Sequence, residues 1–168
     1  TDAVIYELHV RDLSMDASSN IPANHKGKYL AFTDLGTKFT KGKASTLTGL
    51  SAIKDLGVTH IELQPVYDFG SVDETGAGNQ FNWGYDPKNY NVPEGSYSTN
   101  AADPKARIRE LKQAVLAMHQ NGLRVNMDVV YNHTSSAGQN PGSTFDEIVP
   151  GYYYRLNSDG TIANSTCC

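Results

Sequence analysis

The sequence predicts an α/β fold built on a parallel sheet, and three observations support this prediction. Apolar, β-branched runs of strand length occur near residues 3–10, 58–65 and 123–131. Segments with the apolar spacing of helices separate these runs, so that strands and helices alternate along the chain. The strands are apolar on both faces, as in a sheet covered by helices or closed into a barrel. We therefore expect a single domain over residues 1–168 and no second domain.

Two helices are predicted between the three strands. The first covers Leu47–Leu56, with Ser45 or Thr46 as its cap and Gly57 in the left-handed conformation that closes it. The second begins after a cap at Asp103, ends at an Asn-Gly pair, and carries an apolar stripe that would pack on the sheet. The residues of that stripe are Ile108, Leu111, Val115 and Met118.

Long connections follow the first two strands, and their length points to function. Polar, glycine-rich segments cover residues 12–45 and 68–101, whereas such connections usually have about 2–6 residues. The first segment contains an apolar island at Tyr29–Phe32, which we expect to pack against the domain. Ligands of α/β proteins bind at the carboxyl ends of the strands, where these segments begin. We therefore expect the functional site at that edge of the sheet.

Composition and charge exclude several classes of protein. The formal net charge of −4, without a basic stripe, argues against nucleic acid as a partner. The sequence has no run of about 18 apolar residues, so we expect no membrane partner. The two cysteines, Cys167 and Cys168, are adjacent and lack the spacing of zinc ligands. No glycine-rich phosphate-binding motif follows a strand, which disfavours an unrelated phosphate-binding α/β enzyme.

The third predicted strand ends in the segment DVVYNH, residues 128–133, where polar residues follow an apolar run. Strand alternation would place Asp128, Val130 and Asn132 on one face of the sheet. Burial of such polar groups is costly unless they are hydrogen-bonded. They therefore either tie loops together or face a ligand, and the residues alone leave both interpretations open.

The same segment carries a resemblance to a known family. Residues 128–133 resemble the first signature region of the α-amylase (glycoside hydrolase family 13) superfamily, at the end of its third barrel strand. Residues 6–11 (YELHVR) and 57–65 (GVTHIELQP) resemble the regions of its first and second strands. Residues 82–87 (NWGYDP) and 90–97 resemble segments of type I pullulanases. The resemblance covers nearly the whole chain, in the order expected for that family.

The resemblance implies a partial (β/α)8 (TIM) barrel, of which this chain would be the N-terminal portion with the first three βα units and long βα loops. It also implies a retaining glycoside hydrolase that cleaves α-1,6 or α-1,4 glucosidic bonds in polysaccharides of the pullulan and starch type. In this superfamily the nucleophile Asp and the acid Glu lie on the fourth and fifth strands, and no segment here resembles those regions. We therefore expect no catalytic residue in this chain and no hydrolysis by the isolated chain.

The resemblance also implies roles for individual side chains. Tyr85 is similar to the tyrosine that stacks on the sugar ring before the scissile bond, and His133 to the histidine that hydrogen-bonds the same ring. Asp128 and Asn132 are similar to supporting residues. Asn132 also matches a calcium ligand of the calcium-binding amylases, so calcium is the one cofactor that the resemblance allows. The further substrate contacts expected from the same segments are Trp83 and Asp86.

The sequence also allows an alternative function and indicates which partners to expect. Glu7 and Glu62 lie mid-strand among apolar neighbours, where we expect pairing in the core or a raised pKa rather than catalysis. The alternative function is a non-catalytic carbohydrate-binding or interaction fragment. We expect an α-glucan as ligand and, because three barrel strands leave an open edge, the remainder of the barrel or another copy of the chain as partner. The sequence carries no address, and the resemblance implies a secreted or bacterial cell-surface location.

Overall fold

A computed structural model describes residues 2–76 and 80–164, so that Cys167 and Cys168 lie outside the described residues. The strands, numbered in chain order, are β1 (Ile5–Leu8), β2 (Lys38–Lys41), β3 (Ala44–Leu47), β4 (His60–Leu63), β5 (Tyr67–Phe69), β6 (Pro87–Pro93) and β7 (Arg124–Met127). The helices are α1 (Gly49–Asp55), α2 (Pro104–Gln120) and α3 (Phe145–Ile148). Within the described ranges, none of the helices combines the length and apolar character needed to cross a lipid bilayer.

The central sheet is parallel, as predicted, with the strand order β1-β4-β7. Its apolar face, which includes Leu8, Ile61 and Leu63, belongs to one core cluster with residues of α1 and α2. The other face is polar, because the register aligns Glu7 with Glu62, and Glu62 in turn with Asn126. The expectation that Glu7 pairs in the core is wrong, since its side chain is exposed and accepts a hydrogen bond from Gln64.

All three strands of this sheet are shorter than the apolar runs that predict them. The third begins at Arg124 and ends at Met127, and the Asp128 N–H still donates to the Leu63 carbonyl oxygen at 2.9 Å. Residues 128–133 lie beyond the strand, so strand alternation no longer governs them. The prediction that Asp128, Val130 and Asn132 share a face is therefore wrong, and Val130 is buried while Asn132 is exposed.

The first helix starts later than predicted, because a hairpin forms in the preceding segment. Ser45 and Thr46, the predicted caps, pair within β3 against β2, and the hairpin turns at Gly42 with φ +62°. Thr48 occupies the N-cap position without a side-chain hydrogen bond. The other end agrees with the prediction, since Gly57 has φ +76°.

The second helix confirms its predicted cap, because the Asp103 carboxylate accepts a hydrogen bond from the Lys105 N–H at 3.0 Å. Its buried face differs from the predicted stripe. Met118 is fully buried, but Ile108 is 45% exposed, so its place in the stripe is wrong. Arg107 occupies the buried face instead, where it meets carboxylates of the loop that follows β4.

Two parts of the long connections position the functional edge of the sheet. The apolar island predicted at Tyr29–Phe32 forms a short 3-10 helix that packs against α2, and both of its large rings are fully buried. In the loop after β4, the strands β5 and β6 pair antiparallel. The chain between Gly70 and Asp86 is therefore an excursion from the end of this hairpin.

Candidate active site

Three of the residues predicted from the sequence form one hydrogen-bonded group beside the end of β7. The Tyr85 hydroxyl donates to Asp128 Oδ2 at 2.6 Å. His133 Nε2 lies 2.7 Å from the Tyr85 carbonyl oxygen, so His133 holds the backbone and Asp128 the hydroxyl of the same tyrosine. The loop after β4 and the segment after β7 thus meet at Tyr85, which fixes the direction of its ring.

The tautomer of His133 follows from its two contacts. The Asn132 amide nitrogen lies 3.0 Å from His133 Nδ1, and the Tyr85 carbonyl oxygen can only accept. With the amide as donor to Nδ1, the ring proton lies on Nε2 and is donated to the carbonyl oxygen. A sugar hydroxyl that reaches Nε2 would therefore share this proton with the Tyr85 carbonyl oxygen.

The side chain of Tyr85 is 38% exposed and is kept in its protonated form by its surroundings. Loss of solvent raises the pKa of the Tyr85 hydroxyl, and the neighbouring Asp128, Glu7 and Glu62 carboxylates raise it further. The hydroxyl therefore remains a donor to Asp128 at neutral pH. Because that hydrogen bond fixes the hydroxyl, the partly exposed ring is free to serve as a flat contact surface.

The exposed end of this loop carries two further aromatic rings. Trp83 is 60% exposed, and its ring lies edge-on to Phe81, with 6.3 Å between the ring centroids. The Arg11 guanidinium carbon lies 5.5 Å from the centroid of the Phe81 ring. An aromatic rim thus precedes Tyr85 in the chain, and contact of Trp83 with a substrate stays a prediction.

Asp86, the other predicted rim contact, is engaged within its own loop. One carboxylate oxygen accepts from the Asn82 side-chain amide at 2.8 Å, and the other accepts from the Ser71 hydroxyl. Asn82 in turn accepts from the Gly84 N–H at 2.8 Å. Gly84 has φ +91°, and a Cβ at this position would lie 2.8 Å from the Pro65 carbonyl oxygen, so only glycine fits this turn. In this structure Asp86 holds the turn that presents Tyr85.

The sequence did not predict the role of His9, which contacts the turn at Gly84 through Asn82. His9 lies just past the end of β1, is buried, and has its Nε2 2.8 Å from the Asn82 carbonyl oxygen. Its Nδ1 accepts from the Arg11 N–H at 3.2 Å, and the Tyr97 hydroxyl lies 2.9 Å from Nε2. Its position could have indicated this role, because His9 directly follows an apolar strand, and functional residues of barrel folds lie at the carboxyl ends of the strands.

A second missed feature is a buried charged cluster at the base of the same loop. The Arg107 guanidinium donates to both carboxylate oxygens of Glu74, with 2.8 Å from Nη1 to Oε1. Glu94 is fully buried and accepts from the N–H groups of Ser96 at 2.7 Å and Phe69 at 3.2 Å. Arg107 Nη1 also donates to the Pro93 carbonyl oxygen at 3.3 Å, which attaches α2 to the hairpin β5–β6.

Burial sets the protonation of this cluster. It raises the pKa of Glu94 from its ordinary value of 4.5 to about 7, against the opposing effect of hydrogen bonds from Ser96 and Phe69. It also raises the pKa of Asp68. Burial opposes ionisation of Glu74 as well, but hydrogen bonds from Arg107 and from the backbone lower the pKa of this carboxyl group overall. The cluster therefore combines one stabilised carboxylate with two carboxyl groups that resist ionisation.

Calcium at Asn132 stays a prediction of the resemblance. The Asn132 amide contacts His133, and no group of three acidic, histidine or cysteine ligands in residues 2–76 and 80–164 lies beside it. Asp68, Glu74 and Glu94 do have ligand oxygens within 4.8 Å of one another. There, however, the Arg107 guanidinium supplies the positive charge.

Comparison with known proteins relates the chain to the alpha-amylase catalytic domain and to pullulanases. Residues 41–148 match the family model described as the alpha amylase catalytic domain. A pullulanase of Bacillus subtilis is 47% identical over 165 residues, which cover 98% of this chain and 22% of that protein. The chloroplastic pullulanase 1 of Arabidopsis thaliana is 38% identical over 197 residues, covering 99% of this chain and 20% of that protein.

Solved structures agree with the sequence matches. The pullulanase of Bacillus acidopullulyticus has a TM-score of 0.85 and 53% identity, covering 96% of this chain and 19% of that chain. A pullulanase from Anoxybacillus sp. LM18-11, complexed with maltotetraose, has a TM-score of 0.86 and 49% identity over 96% of this chain and 22% of that one. The present chain thus spans about a fifth of the length of these relatives.

Proposed function

This chain belongs to the alpha-amylase catalytic-domain family, and we propose that it is the sugar-positioning, N-terminal part of a pullulanase-type glycoside hydrolase. The proposed substrates are polysaccharides of the pullulan and starch type, with α-1,6-glucosidic bonds as the bonds cleaved. The observation that carries the proposal is the group formed by Tyr85, Asp128 and His133, which fixes a partly exposed ring at the carboxyl edge of the sheet. The maltotetraose bound by the Anoxybacillus relative supports the choice of ligand.

In this proposal Tyr85 is the platform for the glucose ring next to the scissile bond. Its ring offers a flat apolar face to the C–H groups of the sugar, and Asp128 keeps the hydroxyl from rotating. His133 donates its Nε2 proton to the Tyr85 carbonyl oxygen and shares it with a hydroxyl of the glucose ring. Trp83 extends the aromatic surface at the rim. These contacts lower the barrier by orientation, because a correctly placed bond is attacked faster.

Bond cleavage requires groups that we assign to the part of the barrel outside this chain. A retaining glycosidase uses two carboxyl groups about 5–5.5 Å apart, one as nucleophile and one as general acid and base. We propose that neither Glu7 nor Glu62 takes these roles, because both lie on the first two strands of the sheet, whereas the resemblance places the nucleophile and the acid on the fourth and fifth barrel strands. The isolated chain would then bind sugar without hydrolysing it.

The sheet suggests how the rest of the barrel attaches. In the described residues, β1 and β7 each pair with β4 alone, so the outer edge of both strands carries unpaired backbone groups. We propose that neighbouring strands of the complete barrel pair with these edges, as a closed barrel of about 250 residues requires. In the isolated chain, a second copy would be the alternative partner for the same edges.

The experiment is hydrolysis of pullulan and of linear amylose by the full-length protein, followed as reducing ends released per unit time. The proposal expects release from pullulan, with a slower rate on amylose. Rapid release from amylose alone would reject the α-1,6 assignment. Binding of both glucans without release of reducing ends would instead support a carbohydrate-binding protein. The isolated chain serves as the control, and it is expected to release no reducing ends.

A further inference from the structure

A cavity of about 700 Å³ adjoins His133 and is not used by the contacts proposed for Tyr85 and Trp83. Its volume lies within the range of about 300–1,000 Å³ that is usual for ligand pockets. The wall comes from β6, from the segment after β7, and from residues 145–164. Because β6 is far in sequence from the other two segments, the cavity exists only in the folded chain.

The floor of the cavity is a stack of aromatic rings. Tyr90 and Phe145 lie nearly parallel, with 5.8 Å between centroids and 13° between planes. Phe145 and Tyr153 continue the stack at 4.7 Å and 27°. Tyr153, at the end of the stack, is 54% exposed. A partly exposed ring held in place by two others is a rigid, flat surface, which suits the C–H face of a sugar.

The polar groups around this stack suit a neutral ligand. Exposed amides of Asn132, Asn140 and Asn164 line the cavity together with the Arg155 side chain, and its described lining contains no Asp or Glu. Amides can both donate to and accept from hydroxyl groups, and a guanidinium donates several hydrogen bonds. The wall is fixed, since the Tyr154 hydroxyl lies 3.0 Å from Thr134 Oγ1.

We propose that this cavity binds further glucose units of the α-glucan whose ring rests on Tyr85, with Tyr153 as the stacking surface and Arg155 as a hydrogen-bond donor. His133 connects Tyr85 to the cavity. Its ring contacts the Tyr85 carbonyl oxygen, and its own carbonyl oxygen accepts from the hydroxyl of Tyr90, which lines the cavity, at 2.8 Å. The inference rests on the proposed function, since it extends the same glucan. It assigns binding to Tyr153 and Arg155, and no bond cleavage.

The test compares Tyr153→Ala with Tyr152→Ala in the full-length protein. Tyr152 is 75% exposed and does not line the cavity, and it touches Tyr153 only edge-on, with 5.0 Å between the ring centroids, so its removal leaves the face of Tyr153 in place. The dissociation constant of maltohexaose, measured by titration calorimetry, is expected to rise about tenfold in Tyr153→Ala and to stay within about twofold in Tyr152→Ala. Tyr153→Phe, which keeps the ring, is expected to bind as the wild type does.

A second variant guards against loss of folding. Arg155→Gln leaves the aromatic stack intact and is expected to weaken maltohexaose binding about threefold to tenfold. Equal effects of Tyr152→Ala and Tyr153→Ala, or unchanged binding in both Tyr153→Ala and Arg155→Gln, would overturn the inference. Failure of the proposed function is a separate result, since it would appear as wild-type protein that binds maltohexaose through Tyr153 but releases no reducing ends from pullulan.

Discussion

The two ends of the loop after β4 are built in opposite ways. Its base consists of Asp68, Glu74 and Glu94 with Arg107, all buried or half-buried and joined by charged hydrogen bonds. Its tip, residues 81–85, is largely exposed and carries three aromatic rings. The base therefore depends on burial and charge, whereas the tip depends on a few hydrogen bonds.

The difference indicates that the two ends of the loop have different roles. The base fixes where the loop leaves the sheet, because Arg107 of α2 donates both to Glu74 and to the Pro93 carbonyl oxygen of β6. The tip is then oriented by contacts from His9 to Asn82, within the turn at Gly84, and from Asp128 and His133 to Tyr85. Changes at the base should therefore affect stability first, and changes at the tip should affect activity first.

The largest effect is expected for Arg107→Met, at the base. Removal of the guanidinium leaves the Glu74 carboxylate without its partner in a half-buried place, and loss of one partner from such a pair costs about 3–5 kcal/mol in the free energy of unfolding. Chemical denaturation of the full-length protein would measure it. Arg109→Met is the matched control, because Arg109 is exposed on the same helix. Equal losses in the two variants would contradict the role given to the base.

The next effect concerns the pH dependence of stability. The pKa of Glu94 is raised from 4.5 to about 7 on folding, so the folded state binds its proton more tightly than the unfolded state. This contribution is fully present below pH 4.5 and is lost as the pH rises through about 7. Its size is on the order of 3 kcal/mol.

Glu94→Gln removes this titration. Its free energy of unfolding, relative to that of the wild type, should therefore rise between pH 4.5 and pH 8 by about the same 3 kcal/mol. Denaturation at the two pH values would measure the change. Glu147→Gln, at an exposed position in α3, should leave the difference constant. A constant difference for Glu94→Gln as well would show that burial does not raise the pKa of this carboxyl group.

At the tip, Tyr85→Ala should lower kcat/KM for pullulan about 100-fold, because the sugar loses its platform and its orientation. The free energy of unfolding should change by less than about 1 kcal/mol, since the side chain is partly exposed. Steady-state kinetics and denaturation of the same preparation would measure both quantities. A loss of activity that simply follows a loss of folded protein would remove the contrast between tip and base.

The smallest effect is expected for Tyr85→Phe, which keeps the ring but loses the hydroxyl that donates to Asp128. Loss of one hydrogen bond should lower kcat/KM about threefold to tenfold. Asp128→Asn and the double variant complete a mutant cycle. If the two groups act together, the double variant should be no worse than the poorer single variant. Additive losses would mean that Asp128 does not act through Tyr85.

The sequence predicts the fold where its signals are local. The parallel strands and the cap at Asp103 follow from apolar runs and from one capping residue. The start of α1 does not, because Ser45 and Thr46 are as compatible with a cap as with a strand, and pairing with β2 decides between them. The prediction that Ile108 belongs to the buried stripe is wrong for a related reason, because helical spacing does not reveal which side of α2 meets the loop.

The candidate site also contains residues that the sequence predicts and residues that only the structure reveals. Tyr85 and His133 are found through short motifs, and the structure brings them together without deciding what they bind. The charged base is invisible in the sequence, where Glu74, Glu94 and Arg107 are separate charged residues that resemble an ordinary surface. They come together only in the folded chain, where Arg107 of α2 meets the loop after β4.

The most direct test of the central claim is a crystal structure of the full-length protein with maltotetraose bound. The account predicts a glucose ring stacked on Tyr85, with one of its hydroxyl groups within hydrogen-bonding distance of His133 Nε2. It also predicts that Asp128 still accepts from the Tyr85 hydroxyl in the complex. A glucan bound in the cleft without contact to Tyr85 or His133 would contradict the claim that this chain positions the sugar.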